Sequence, residues 1–268
     1  MMSAKDQTHI DFIIVIPCYN EAARFTATLD QYTRFLKEQP LVGLCLVDDG
    51  STDKTVSFFQ KLKMEFPNQI ESLVLGKNQG KAEAVRAGIN HCLTHFDANY
   101  LAYLDADLAT SFSECLRVYS LAKSNPKIDF AFGSRILKVG SEIKRKKFRF
   151  VVGRIIATFI SSILKLKVYD TQCGCKVVER ELAGRLFKDP FISKWLFDVE
   201  LFFRMIQCFG RKGAIEKMME VPLQQWIDMG DSKVPMSYIF KLWLDLYKIK
   251  RSYAQLKSPK NDLAKNDA

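Results

Sequence analysis

No uninterrupted stretch of about 18 or more uncharged apolar residues occurs in the 268-residue chain, the minimum for a helix that spans a bilayer. The opening segment, Met1 to Asp11, is polar and lacks the hydrophobic core of a secretory signal. These absences predict a chain neither secreted nor membrane-spanning. Paired cysteines are also missing. The seven cysteines are odd in number and scattered, and the tightest pair, Cys173 and Cys175, is too close for a usual zinc knuckle. Reduced thiols packed as small core residues are the expectation. Neither Gly-x-x-x-x-Gly-Lys-Ser/Thr nor Gly-x-Gly-x-x-Gly follows the first apolar run, which argues against a nucleotide triphosphatase and a dinucleotide dehydrogenase.

The formal charge is +10, and most of the excess lies in one place. From Lys138 to Lys167 there are nine Lys or Arg against the single acid Glu142. Such a block is a footprint for polyanions. No recognised nucleic-acid module accompanies it, which leaves anionic lipid or a phosphorylated substrate.

Phe12 to Ile16 is a continuous β-branched apolar run, the form of a strand buried on both faces of a parallel sheet, and it is expected to stop at Pro17. A helical pattern follows through Phe25, Leu29, Tyr32 and Leu36. Strand, polar loop and helix then recur: Leu41 to Val47 runs into Asp48-Asp49-Gly50, Glu71 to Leu75 into Gly76 to Lys81, and Leu101 to Leu104 into Asp105-Ala106-Asp107. The fold class is therefore α/β with a mostly parallel sheet. Ligands of such sheets sit outside the carboxyl ends of the strands, so these loops, together with Tyr19, Asn20 and Glu21, are expected to share one crevice. Asp105 and Asp107, i and i+2 at a strand end, should face one side, an arrangement that suits Mg²⁺ shared with diphosphate oxygens. An acid after the second strand can accept from a nucleobase N–H or a ribose hydroxyl, and Lys81 can sit near a diphosphate.

Val15-Ile-Pro-Cys-Tyr-Asn-Glu21, Val47-Asp-Asp-Gly-Ser-Thr-Asp53, Asn78-Gln-Gly-Lys81 and Asp105-Ala-Asp107 resemble the nucleotide-sugar motifs of family 2 glycosyltransferases, which have the GT-A fold. Gly133-Ser-Arg135, Asp170-Thr-Gln-Cys-Gly-Cys-Lys176, Trp195-Leu-Phe-Asp-Val-Glu-Leu201 and Trp226 with Gly230 to Val234 resemble the dolichyl-phosphate glycosyltransferases, more closely the β-glucosyltransferase branch than the mannose branch. The mannose enzymes carry Gln where this chain has Ala109. Relative to glucosyltransferases of eukaryotic type, the chain lacks an N-terminal membrane anchor, and Cys175 replaces a usual Phe.

The resemblance implies nucleotide-sugar contacts from Pro17, Tyr19, Asn20 and Glu21, from Asp48 or Asp49, and from Lys81, Asp105 and Ala106. It implies Mg²⁺ or Mn²⁺ at Asp105 and Asp107, with Asp107 the more direct ligand. Arg135 and Arg149 would hold the acceptor phosphate, with Arg154 in reserve. Gln172 and Lys176 lie in a motif whose physical role the spacing does not disclose. The reaction implied is transfer of a hexose, first glucose from UDP-glucose, to a polyprenyl phosphate with inversion. GDP-mannose and other UDP-sugars remain open. A rival is transfer to a saccharide hydroxyl with Asp198 as base; a second is a non-catalytic membrane-binding protein.

The domain expected is 11–253, with a nucleotide-sugar half 11–135 and an acceptor and membrane-facing half 136–253, between a flexible 1–10 and a disordered tail 254–268. Phe148 to Leu164 reads as an amphipathic helix of about 26 Å at about 1.5 Å per residue, too short to cross a membrane of about 30 Å and interrupted by Arg154. Lys144 to Lys147 precedes it. Met236 to Tyr247 mixes aromatic, apolar and basic residues in the manner of an interfacial helix. The alternative is that both helices pack on the sheet with their charges in water. The location expected is the cytosolic face of a membrane, as a peripheral protein.

Overall fold

The computed structural model describes residues 10–144, 147–228 and 238–255, with the side chains of 147–152, 238–240 and 254–255 left aside. The expectations for 1–9, Arg145, Lys146, Met236, Gly230 to Val234 and the tail from 256 lie outside the described residues.

In chain order the elements are β1 (Phe12–Cys18), α1 (Ala22–Glu38), β2 (Val42–Asp48), α2 (Thr55–Glu65), β3 (Ile70–Val74), α3 (Lys81–His95), β4 (Tyr100–Leu104), α4 (Phe112–Lys123) and β5 (Phe130–Ser134). They continue with β6 (Glu142–Lys144), α5 (Lys147–Leu164), β7 (Cys175–Glu179), α6 (Arg180–Leu186), α7 (Phe197–Lys217), β8 (Met218–Pro222), β9 (Gln225–Ile227) and α8 (Tyr238–Gln255). A seven-stranded sheet has the order β3-β2-β1-β4-β7-β5-β8, and β6 pairs with β9. Every pairing in the large sheet is parallel except those of β7, which runs antiparallel between β4 and β5. The chain order reverses beside β1, which opens a crevice at the carboxyl ends of β1, β2 and β4.

Alternate residues of β1 serve the two faces of the sheet. Ile13 and Val15 join Val85, Ile89, Leu182 and Phe202 on one side; Phe12, Ile14 and Ile16 join Phe25, Tyr32, Phe59 and Val118 on the other. A Cβ at Gly88 would lie 2.5 Å from Val15 and 2.7 Å from Val47. That close approach seats α3 on β1 and β2 and fixes where its first residue, Lys81, begins.

Two expectations need correction, and the central strand β7 was not anticipated. β1 continues through Pro17 to Cys18; beyond Val15 it pairs with β2 alone, so a missing N–H is tolerated there. Ile10, placed in the flexible N-terminus, is buried in the core. β7 was hidden in the motif around Lys176, because a lysine inside an apolar run obscures a buried strand.

Candidate functional site

The four expected loops form one connected edge. Asn20, with φ 52°, donates its N–H to Ser51 Oγ at 2.8 Å and accepts from Thr52 N at 2.9 Å. Glu21 N donates to Thr55 Oγ1 at 2.8 Å, and Asp53 accepts from Ala22 N at 3.0 Å. The second loop is tied to the third by Asp49, whose two oxygens accept from Gln79 N at 2.7 Å and Gly80 N at 2.8 Å. The third meets the fourth where Lys81 Nζ lies 2.5 Å from Asp105 Oδ1.

The adjacent acids Asp48 and Asp49 have different tasks. Asp49 is consumed in holding 79–80; burial pushes its carboxyl up against those bonds. Asp48 accepts from Ser51 N at 3.1 Å through Oδ2, while Oδ1 is buried with no hydrogen-bond partner among the described residues. A buried acceptor left over at the carboxyl edge of the sheet has capacity for one more hydrogen bond. Pro17 lies within β1, Tyr19 is exposed at the edge, Ala106 is buried beside the fourth loop, and Glu21 is paired with Arg24.

Asp105 donates its N–H to Gly174 O at 3.0 Å, and its carboxylate fills the space where residue 174 has no side chain: a Cβ there would sit 2.0 Å from Oδ2. Asp107 accepts from Ala109 N at 3.0 Å, its carboxyl raised by burial and by the charge of Asp105. Among the described residues no three His, Cys, Asp or Glu form a metal cage. Two neighbouring carboxylates, one in a slot only glycine allows, fit a hard cation that completes its shell with phosphate oxygens and water.

Arg135 stands at the end of β5, and its fork is engaged by Asp170. Nε reaches Oδ2 at 2.6 Å, Nη2 reaches Oδ1 at 2.8 Å, and the backbone N–H donates at 3.1 Å. Burial alone would raise the Asp170 carboxyl; the guanidinium outweighs it and holds the group well below the usual range. Glu220 accepts from the N–H groups of Tyr169 and Asp170, and Arg154 lies 3.5 Å from the Tyr169 ring centre while donating to its carbonyl at 2.8 Å. The Trp226 ring lies over Arg135 at 5.3 Å. Ser134 Oγ, Thr171 Oγ1 and Gln172 Nε2 around this pair are buried without hydrogen-bond partners among the described residues. Arg149 falls in α5, but its side chain lies outside the described part.

Asp198, at the start of α7, accepts from Tyr103 Oη and from Lys176 Nζ, the latter at 2.5 Å. Lys176 is fully buried, and it also donates to Cys173 O at 2.6 Å. Glu200 turns elsewhere and accepts from Ile192 N and Ser193 N. Sequence reasoning missed the partners Asp170, Gly174 and Tyr103. One signal was available: a lysine in Cys-Lys-Val-Val demands a buried counter-charge.

Helices α5 and α8 bury Ile160, Leu164, Leu242, Leu246 and Ile249, yet Ile155, Phe159, Trp243, Leu244 and Tyr247 remain exposed. Phe159 and Trp243 meet edge to face at 5.0 Å, which joins the two outer faces. Among the described residues no helix is long and apolar enough to cross a membrane.

The mostly parallel sheet with an Asp-x-Asp pair at its carboxyl edge accords with a glycosyltransferase, and the chain belongs to Glycosyl transferase family 2, whose sequence pattern matches residues 13–187. Within that family it is 32% identical over 245 residues to a dolichyl-phosphate β-glucosyltransferase of Trichomonas vaginalis, covering 88% of this chain and 69% of that one. The dolichyl-phosphate β-glucosyltransferase of Saccharomyces cerevisiae is 31% identical over 269 residues, covering 93% and 77%. The GT-A fold is shared with glucosyl-3-phosphoglycerate synthase of Mycobacterium tuberculosis, solved with Mn²⁺, UDP and phosphoglyceric acid (TM-score 0.66, 15% identity, 93% and 80% covered). It is shared also with a mannosyltransferase of Pyrobaculum calidifontis solved with GDP-mannose and Mn²⁺ (TM-score 0.61, 18% identity, 96% and 68% covered).

Proposed function

We propose that this chain transfers glucose from UDP-glucose to a dolichyl-type polyprenyl phosphate, with inversion at the anomeric carbon, at the cytosolic surface of a membrane. The observation that carries the reading is the row of three contacts, Asn20 to Ser51, Asp49 to Gly80 and Lys81 to Asp105, that joins all four nucleotide-sugar loops at one edge. The β-glucosyltransferase relatives favour glucose and dolichyl phosphate over the other donors and acceptors.

Asp48 Oδ1 accepts a hydrogen bond from the base or ribose, and Lys81 lies beside the diphosphate. Asp105 and Asp107 would hold Mg²⁺ or Mn²⁺, which would supply Lewis-acid relief of the charge that grows on the leaving UDP. The acceptor phosphate is ionised at neutral pH, so one of its oxygens attacks the anomeric carbon as the bond to the UDP oxygen breaks, and no general base is required. The outer edge of Arg135 and the guanidinium of Arg149 hold that phosphate without giving up a proton to it. The hydroxyl-acceptor rival needs Asp198 as a base, and its engagement by Lys176 and Tyr103 speaks against that role. The exposed apolar residues of α5 and α8 suit docking on a lipid surface, where the basic segment meets anionic headgroups.

The test is a product assay with purified protein, Mn²⁺ or Mg²⁺, a short polyprenyl phosphate, and UDP-glucose and GDP-mannose in parallel. Glucose appearing in the lipid phase from UDP-glucose supports the reading. Donor hydrolysis with no hexose in lipid from either donor overturns it and returns attention to a hydroxyl acceptor.

A further inference from the structure

Lys81 is the first residue of α3, immediately after Gly80, whose φ of 98° turns the chain into the helix. Its side chain is largely buried, and its ammonium lies over the Phe197 ring at 5.8 Å and 2.5 Å from Asp105 Oδ1. The charges of Asp107 and Asp198 act on it as well. Asp105 cannot retreat from this contact. Its oxygens occupy the slot left by Gly174, and its backbone is bound to the carbonyl of that glycine.

An ammonium in ion-pair contact with Asp105 Oδ1 stands where a divalent cation shared by Asp105 and Asp107 would approach the same oxygen. Two cations on one carboxylate oxygen repel in a site only partly open to water. A diphosphate changes that balance, because it offers Lys81 another anion within reach of a flexible four-carbon stem.

We propose that Lys81 is a resident counter-cation of the nucleotide-free protein: it holds the Asp105 side of the metal position closed and yields it only when a nucleoside diphosphate draws its ammonium away. The inference rests on the metal-dependent nucleotide-sugar reading given above. Its consequence is coupled entry. Cation and nucleotide each raise the affinity for the other by the same factor, and Lys81 supplies part of that factor by penalising the cation alone.

The experiment uses the full chain and follows free Mn²⁺ by its electron paramagnetic resonance signal, with and without saturating UDP, and UDP binding by calorimetry with and without Mn²⁺. Lys81→Met is expected to bind Mn²⁺ alone at least tenfold more tightly than the unaltered chain and UDP alone at least tenfold more weakly. Lys81→Gln should show the same pair of changes, and Lys81→Arg should keep Mn²⁺ binding weak. Opposite signs for the two ligands separate this effect from simple damage to the site, which weakens both. The inference is overturned if UDP and Mn²⁺ together bind the unaltered chain but Lys81→Met and Lys81→Gln take up Mn²⁺ alone no more tightly than it does. Failure of the unaltered chain to take up Mn²⁺ even with UDP overturns the metal reading and this inference with it.

Discussion

Replacing Lys176 by Met tests whether the interior around β7 is held by a buried ion pair. The lysine is fully buried, bound to Asp198 at 2.5 Å and to Cys173 O at 2.6 Å, with Tyr103 as the other donor to the same carboxylate oxygen. Met fills nearly the same volume, so the change removes charge more than packing. It leaves Asp198, itself only 4% exposed, as a carboxylate with a neutral partner. Breaking a buried pair from one side costs about 3–5 kcal/mol. With an unfolding entropy of about 2.1 cal/mol/K per residue, about 0.55 kcal/mol/K for this chain, the melting temperature should fall by about 5–9 °C. Lys176→Met with Asp198→Asn, which removes both charges, should recover about half of that loss or more, because the two residues share one interaction. Calorimetric melts of the two single variants and the double variant give the answer. A single variant that melts within about 1 °C of the unaltered chain, or a double variant whose loss is the sum of the two, would refute the argument.

Other substitutions separate binding from support. Asp48→Asn should weaken UDP binding by about 10- to 100-fold, the value of a charge-assisted hydrogen bond of about 1.5–3 kcal/mol, with little change in melting temperature. Asp49→Asn should lower the melting temperature by about 2–5 °C, because an amide cannot accept from both Gln79 and Gly80 without leaving about 1–3 kcal/mol of unmet hydrogen bonding; calorimetric titration and melts of both variants check the contrast. Gly174→Ala puts a methyl 2.0 Å from Asp105 Oδ2, so the carboxylate must leave its slot, and binding of UDP with Mn²⁺ should fall at least about tenfold, measured by titration. The folded Asp170 carboxyl is depressed by Arg135; its contribution to stability is complete above the unfolded carboxylate pKa of about 3.9 and disappears as pH falls through the lower folded value. The stability gap between the unaltered chain and Asp170→Asn, from urea melts, should therefore hold steady above about pH 5 and narrow below about pH 4; a gap unchanged down to about pH 2 counts against the Arg135 to Asp170 pairing.

Much of this protein was legible in one dimension because the relevant signals are local. Apolar runs such as Phe12 to Ile16 declare buried parallel strands, polar residues after each run mark the ligand edge, and Asp105 and Asp107 sit at the end of their strand by spacing alone. The helical period of α5 was likewise visible, but not which of its apolar residues pack inward, as Ile160 and Leu164 do, and which stay exposed, as Ile155 and Phe159 do. Other features depend on which strand lies next to which. Asp48 and Asp49 are adjacent and chemically alike, and only the approach of residues 79–80 makes one a brace and leaves the other with an unused oxygen. Arg135 read as a cation awaiting a phosphate, but Asp170, 35 residues away, takes one edge of its fork through Nε and Nη2. Lys176 meets Asp198 across 22 residues because β7 inserts antiparallel between β4 and β5 and carries the lysine to Tyr103. Local sequence determined the strands, the helices and the chemistry placed at their ends, since backbone geometry and side-chain period act over a few residues. The tertiary structure decided which charges neutralise one another and which remain for ligand, since a buried charge is satisfied by whatever packing brings beside it.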